Sequence, residues 1–216
     1  MRSRVFVLVF LAAILIVAAP AFAGTVNFNL AEHGDGDLGA GTIAFHAGGL
    51  ELDVTAWTSD GVQDHVYYKH PILPADENGL GLLSTTDHEI NAPTNFLQFD
   101  LSKLSSVGSF SITVGFGSTT SGEEWGLSYS NTNGVLNNVI YAATGTTETT
   151  VTVSTSTAHY LDLSSLLLAG STGPSNGGNV LLASASATTP QPEPASLLLL
   201  GSGLLSMGGM LRRKMK

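Results

Sequence analysis

Cysteine is absent from all 216 residues. Disulfides, thiolate metal sites and a thiol nucleophile are therefore excluded. Positive charge is nearly absent from the interior of the chain. Between Gly24 and Gln191 the basic residues are Lys69 and Lys103, against sixteen aspartates and glutamates, a net charge of −14. The whole-chain value of −9 conceals this, because every other basic residue sits near one end. So acidic a body repels nucleic acid and anionic membranes, and no nucleic-acid partner is expected. It suits divalent cations, basic partners, or simply a solvated surface. Catalytic motifs are missing as well. There is no G-x-S-x-G, no H-E-x-x-H and no phosphate-binding glycine loop.

What the chain does have stands out first at its ends. "MRSRVFVLVFLAAILIVAAPAFA" places Arg2 and Arg4 before an apolar stretch, then Ala21-Phe22-Ala23. A basic head, an apolar middle and a small-x-small site are the parts of a secretory signal peptide. Residues 1–23 are read as a cleavable signal helix, with the mature chain starting at Gly24. The Sec translocon and signal peptidase follow as partners.

The other end reads "QPEPASLLLLGSGLLSMGGMLRRKMK". Ala195 to Leu211 carries no charge. At about 1.5 Å of rise per residue, a helix of that length just spans a hydrocarbon core. Arg212, Arg213, Lys214 and Lys216 follow and would stop transfer on the cytoplasmic side. A single C-terminal transmembrane helix with a basic tail is expected over 195–216. Pro192-Glu193-Pro194 precedes it. Proline fixes its own φ and restricts the residue before it, so this stretch is stiff and extended.

The three-part tail, Pro192 to Lys216, resembles the PEP-CTERM sorting signal of Gram-negative bacteria. The resemblance implies recognition by exosortase, a membrane-embedded cysteine-protease-like enzyme. It implies an inner-membrane-anchored precursor, processed near Pro192, Glu193 and Pro194. The body would then reach the cell surface or the exopolysaccharide matrix. Two interior stretches, "GLGLLSTTDHEINAPTNFLQFDLSKL" and "YLDLSS…GNVLLASASA", look similar to segments recurrent in bodies of that family. They imply only a shared sandwich.

Between the ends lies a body of about 168 residues, enough for one domain with a sizeable core. Short runs such as "ELDVTAW", "HVYYK", "NFLQFDL" and "SFSITVGF" alternate in part, with Gly, Asn, Asp and Ser between them. Alternation turns one set of side chains to a core and the other to water. Leu52, Val54, Ala56 and Thr58 are expected on one face. Many short strands at close spacing predict an all-β fold, an antiparallel jelly-roll-like β-sandwich over 24–187. "SSLLLAGS" from Ser164 is read as a connection between two late strands. Residues 188–194 form a Thr/Pro linker carrying the PEP motif.

Few residues of the body offer chemistry. "EHGDGDLG" gathers Glu32, His33, Asp35 and Asp37. Asp-x-Asp spacing can wrap oxygens round Ca²⁺, though Gly39 stands where a third acid would help. "TTDHEIN" offers Asp87, His88 and Glu89. Neighbours on a strand point to opposite faces, so these converge only in a loop. Asp35, Asp37, Asp87 and Glu89 are thus the metal candidates, with Ca²⁺ the cation; a solvated turn is the plainer reading. His65 and His70 read as strand surface. Glu123 and Glu124 could supply a glycosidase acid, but adjacency does not establish the separation such a pair needs. Trp57 or Trp125 could stack on a sugar, although lone tryptophans usually belong to cores. The expectation is an exported, non-enzymatic surface or matrix protein without a resident cofactor, a partner of exosortase and exopolysaccharide. The alternatives are a carbohydrate-binding module and a secreted glycoside hydrolase.

Overall fold

A computed structural model describes residues 24–58, 60–70, 77–91, 95–105, 110–118, 123–136, 141–145, 149–155, 158–166, 178–189, 201 and 203–204. The body is all-β and antiparallel. Its strands are β1 (Gly24–Phe28), β2 (Gly36–Ala40), β3 (Ile43–Ala47), β4 (Leu50–Trp57), β5 (Gln63–Lys69), β6 (Gly79–Leu82) and β7 (Ile90–Asn91). They continue with β8 (Phe96–Asp100), β9 (Phe110–Gly117), β10 (Glu124–Ser130), β11 (Tyr141–Gly145), β12 (Thr150–Thr155), β13 (Tyr160–Leu166) and β14 (Asn179–Thr189). A single helical turn, α1 (Ser102–Ser105), follows β8.

Hydrogen bonding runs in the order β11-β10-β13-β8-β4-β5-β6-β14-β9-β12, with β3 on β4, β2 on β5, and β1 and β7 on β14. β5 joins the two halves of this path. Its first residues pair with β4, at Ala56↔Asp64 and Trp57↔Gln63, and its later ones pair with β6 and β2. The β4–β5 turn closes through Thr58, whose amide donates to the Val62 carbonyl at 2.9 Å.

Both halves feed one hydrophobic core. Leu52, Val54 and Ala56 of β4 are fully buried in it, as alternation requires. Thr58 lies beyond the end of β4. Leu97 and Phe99 of β8 and Leu161 and Leu163 of β13 join them from the same half. From the other half come Ile112, Val114 and Phe116 of β9 and Leu182, Ala185 and Ala187 of β14. Phe116 and Trp125 stack across the core, ring centroids 4.0 Å apart. Burying each large apolar side chain contributes about 1.5–3 kcal/mol, which makes this core the main stabilising element.

Two expectations need adjustment. Ser164–Leu166 continues β13 rather than starting a connection, because Ser164, Ser165 and Leu166 pair with Gly126, Trp125 and Glu124. β14 runs to Thr189, past the expected boundary at 187; Thr188 pairs with Ser111, and its hydroxyl lies 2.8 Å from that of Thr25. The compact unit spans Thr25–Thr189. Among the described residues no helix is long and apolar enough to cross a membrane. The expected signal helix (1–23) and the expected span and tail (195–216) lie outside the described residues, save for Gly201, Gly203 and Leu204, which are helical.

Candidate binding face

β4, β8, β13 and β10 lie side by side, and their registers align polar residues in rows. Thr55 pairs with Gln98, Gln98 with Asp162, and Asp162 with Ser128. The next row is Trp57, Phe96, Ser164 and Gly126; the row on the other side is Asp53, Asp100, Tyr160 and Ser130. All these residues have the parity opposite to Val54, Ala56, Leu97 and Leu163. They therefore occupy the face turned away from the main core. Phe96 fits this placement: it is 2% exposed yet belongs to no part of the core cluster.

An outward face of an antiparallel sheet is ordinarily wet. The centre of this one is dry. Asp162 and Ser128 are each 1% exposed, Ser164 is 0% exposed and Gln98 is 2% exposed. Among the described residues, four buried side-chain atoms find no hydrogen-bond partner: Asp53 Oδ1, Trp57 Nε1, Ser128 Oγ and Ser164 Oγ. All four belong to this one face. Buried polar atoms are normally satisfied, and each exception calls for an explanation.

A strap formed by residues 131–136, directly after β10, crosses the face. Gln98 clasps it with both ends of its amide. Gln98 Nε2 donates to the Thr132 carbonyl at 3.3 Å, and Gln98 Oε1 accepts from the Gly134 amide at 3.0 Å. Ser130 Oγ donates to the Thr132 carbonyl at 2.9 Å, and the His159 amide donates to Asn131 Oδ1 at 3.2 Å. Gly134 rests on the Trp57 ring. It has φ +70°, and a Cβ there would fall 2.7 Å from Trp57 Cζ3. Only glycine holds that conformation and approach without strain.

Asp162 is the ionisable centre. Burial pushes its carboxyl up to about 7, against the pull of a hydrogen bond from Gln98 Nε2 at 2.9 Å. The site thus holds a carboxyl that burial pushes toward its neutral form, two idle hydroxyls, an idle indole N–H and two aromatic rings. At the margin, Asp53 is ion-paired with Lys103 at 2.9 Å, and burial raises its carboxyl despite that partner.

The residues expected to act are dispersed. Asp37 accepts from the Gly39 amide at 2.8 Å, and its Oδ1 lies 2.8 Å from His65 Nδ1. That hydrogen bond with His65, then the one from Gly39, holds its carboxyl below the usual range. Asp35 lies 4.0 Å from His70 Nδ1. Glu32 accepts from the His46 amide, and His33 packs edge-on against Phe45. Asp87 accepts from Asn179 Nδ2 at 2.6 Å. Glu89 turns inward: Lys69 pairs with one carboxylate oxygen and Ser118 Oγ donates to the other at 2.8 Å. Asp87 and Glu89 therefore point to different partners. Among the described residues no three His, Asp or Glu side chains are arranged to hold a metal ion. Trp125 belongs to the core, whereas Trp57 lies on the candidate face. Pro192, Glu193, Pro194, Arg212, Arg213, Lys214 and Lys216 lie outside the described residues.

Gln98, Ser128, Asp162 and Ser164 went unnoticed in the sequence. Each alternates with core residues, the pattern of any solvated strand face. Their convergence comes from the registers of four strands far apart in the chain. No known family model matches the chain, and no curated protein matches it.

Proposed function

We propose that the protein is an exported, non-enzymatic component of the cell surface or extracellular matrix, sorted by exosortase and associated with exopolysaccharide. The observation that carries this is the tail: Pro192-Glu193-Pro194, an uncharged Leu/Gly-rich run, then Arg212, Arg213, Lys214 and Lys216. The body fits such a route. Its first strand begins at Gly24, the residue expected to follow signal cleavage, and its last strand ends at Thr189, just short of the motif. We read the antiparallel strands around one core as a jelly-roll-like sandwich, carried in the precursor on a signal helix and a C-terminal anchor.

The absence of an enzymatic role is part of the proposal. A glycosidase needs two carboxyl groups within about 5–10 Å of each other. Asp162 is the most deeply buried acid of the candidate face, with Asp53 at its margin, and Glu124 shares its parity. Glu124 pairs with Leu166, four residues along β13 from Asp162. At about 3.3 Å per residue that is roughly 13 Å of strand, too wide for Glu124 and Asp162; Asp53 and Asp100, paired across β4 and β8, are instead engaged by Lys103 and by the Ser102 amide.

The test is mass spectrometry of the membrane and extracellular fractions. A membrane-bound full-length tail and an extracellular product lacking Lys216 are expected, and Glu193→Ala should leave the precursor in the membrane. Intact Lys216 on the extracellular protein would overturn the proposal.

A further inference from the structure

The dry polar face of β4, β8, β13 and β10 asks for a ligand. Such a cluster of unpaired buried atoms does not stabilise a fold, since each forfeits the hydrogen bonds it made to water. Ser128 and Ser164 flank Asp162, one across the strand pair and one two residues along β13. A hydroxyl both donates and accepts, and a carboxylate accepts at two oxygens. Three such groups together complement adjacent hydroxyls on one molecule. Trp57 and Phe96, paired across β4 and β8, border them with apolar ring surface and an idle N–H. Aromatic walls with a few convergent polar groups are the composition of a small-ligand site.

The charge of the body narrows the class. Lysine is scarce throughout the body, so nothing at the centre of the face offsets an anionic ligand. The remaining chemistry is that of a neutral polyol with an apolar ring face. We infer that the face beneath the 131–136 strap is a subsite for a neutral pyranose unit of a glycan, with Asp162, Ser128 and Ser164 binding hydroxyls and Trp57 stacking on the ring. Gly134 occupies the stacking position on Trp57 in the closed state. The strap is therefore a lid, and its two bonds to Gln98 are what a ligand displaces. This inference deepens the reading of the protein as an exopolysaccharide partner. It concerns the body alone, so sorting and sugar binding can fail independently.

The experiment uses the full chain in detergent, titrated by calorimetry and tryptophan fluorescence with cellohexaose, maltohexaose, mannohexaose and, as the charged control, hexagalacturonate. Saturable binding of a neutral hexasaccharide is expected, with a change in Trp57 emission. Ser164→Ala and Ser128→Ala should each weaken it tenfold or more without lowering the melting temperature, because each removes an atom that has no protein partner. Gln98→Ala should loosen the lid and speed association. No binding of any neutral probe would overturn the inference. So would a preference for hexagalacturonate, or equal binding by wild type and the two serine variants. Asp162→Asn is read as a second line: if it folds, it too should bind tenfold more weakly.

Discussion

Lys69 is ion-paired with Glu89, a carboxylate only 2% exposed, whose other oxygen accepts from Ser118 Oγ. Lys103 does the same for Asp53, 7% exposed, while also pairing with Glu51. The two lysines of so acidic a body are thus both spent on buried acids. Burial raises the Glu89 carboxyl, while Lys69 and then Ser118 work to keep it charged.

Removing Lys69 alone should be costly. Breaking a buried pair leaves an uncompensated charge, worth roughly 3–5 kcal/mol. Lys69→Met is expected to lower stability by about that amount in urea unfolding of the full chain. The double variant Lys69→Met/Glu89→Gln should recover much of it, because the charge goes with its partner. Equal destabilisation in single and double variants would show that packing, not charge, is at stake.

Asp162 predicts a pH dependence of defined sign. Its carboxyl has an ordinary value of 3.8 and is raised to about 7 in the folded chain. Below about pH 4 both states hold the proton, and the side chain imposes no charge penalty. Between about pH 4 and pH 7 the unfolded chain loses its proton first, so stability falls as pH rises. At about 1.4 kcal/mol per pH unit, the full loss is on the order of 4 kcal/mol. Asp162→Asn cannot titrate and keeps an acceptor for Gln98. Its stability relative to wild type should therefore rise across that window and level off above about pH 7. Parallel curves from pH 4 to 8 would refute the buried acid.

Gly81 sits where β6 passes beneath the turn that carries His88. A Cβ there would lie 2.2 Å from the His88 carbonyl oxygen and 2.8 Å from the Glu89 Cα. Both obstacles are backbone and cannot rotate away. Gly81→Ala is expected to cost about 3 kcal/mol or more, at the upper end of overpacking changes. A melting temperature within a degree of wild type would show that the turn yields.

The strand inventory was largely legible because alternation is local. Leu52, Val54 and Ala56 announce a buried face within a few residues. Features set by long-range pairing were not. β14 carries a bulge between Leu182 and Ser184 where it pairs with β9. The bulge shifts the alternation, so Val180 and Leu182 face the core, and then Ala185 and Ala187 do. Period-two reading of "VLLASASA" cannot place that step. Ser164 opens a run read as a connection, and only its pairing with Gly126 of β10 places it in a strand. The candidate face was hidden for the same reason: Thr55, Gln98, Asp162 and Ser128 are 43, 64 and 34 positions apart in sequence, and only register brings them into one row. The setting of Glu89 was hidden in the same way, because its partner Lys69 lies on a separate element, β5.

The last expectation concerns calcium. Asp37 is already engaged by His65 and the Gly39 amide, Asp87 by Asn179, and Glu89 by Lys69 and Ser118. A Ca²⁺ ion takes six to eight oxygens at about 2.3–2.6 Å, so it would have to strip several of these partners to assemble a shell. Self-repulsion among sixteen acids, by contrast, is relieved by any cation through screening. Thermal melts of the full chain in NaCl and in CaCl₂ of equal ionic strength should therefore rise together and coincide. A specific site would add stabilisation that grows with free Ca²⁺ by mass action. A further rise in CaCl₂, abolished by Asp35→Ala or Asp87→Ala, would mean that one acidic turn rearranges into a true metal site despite its present partners.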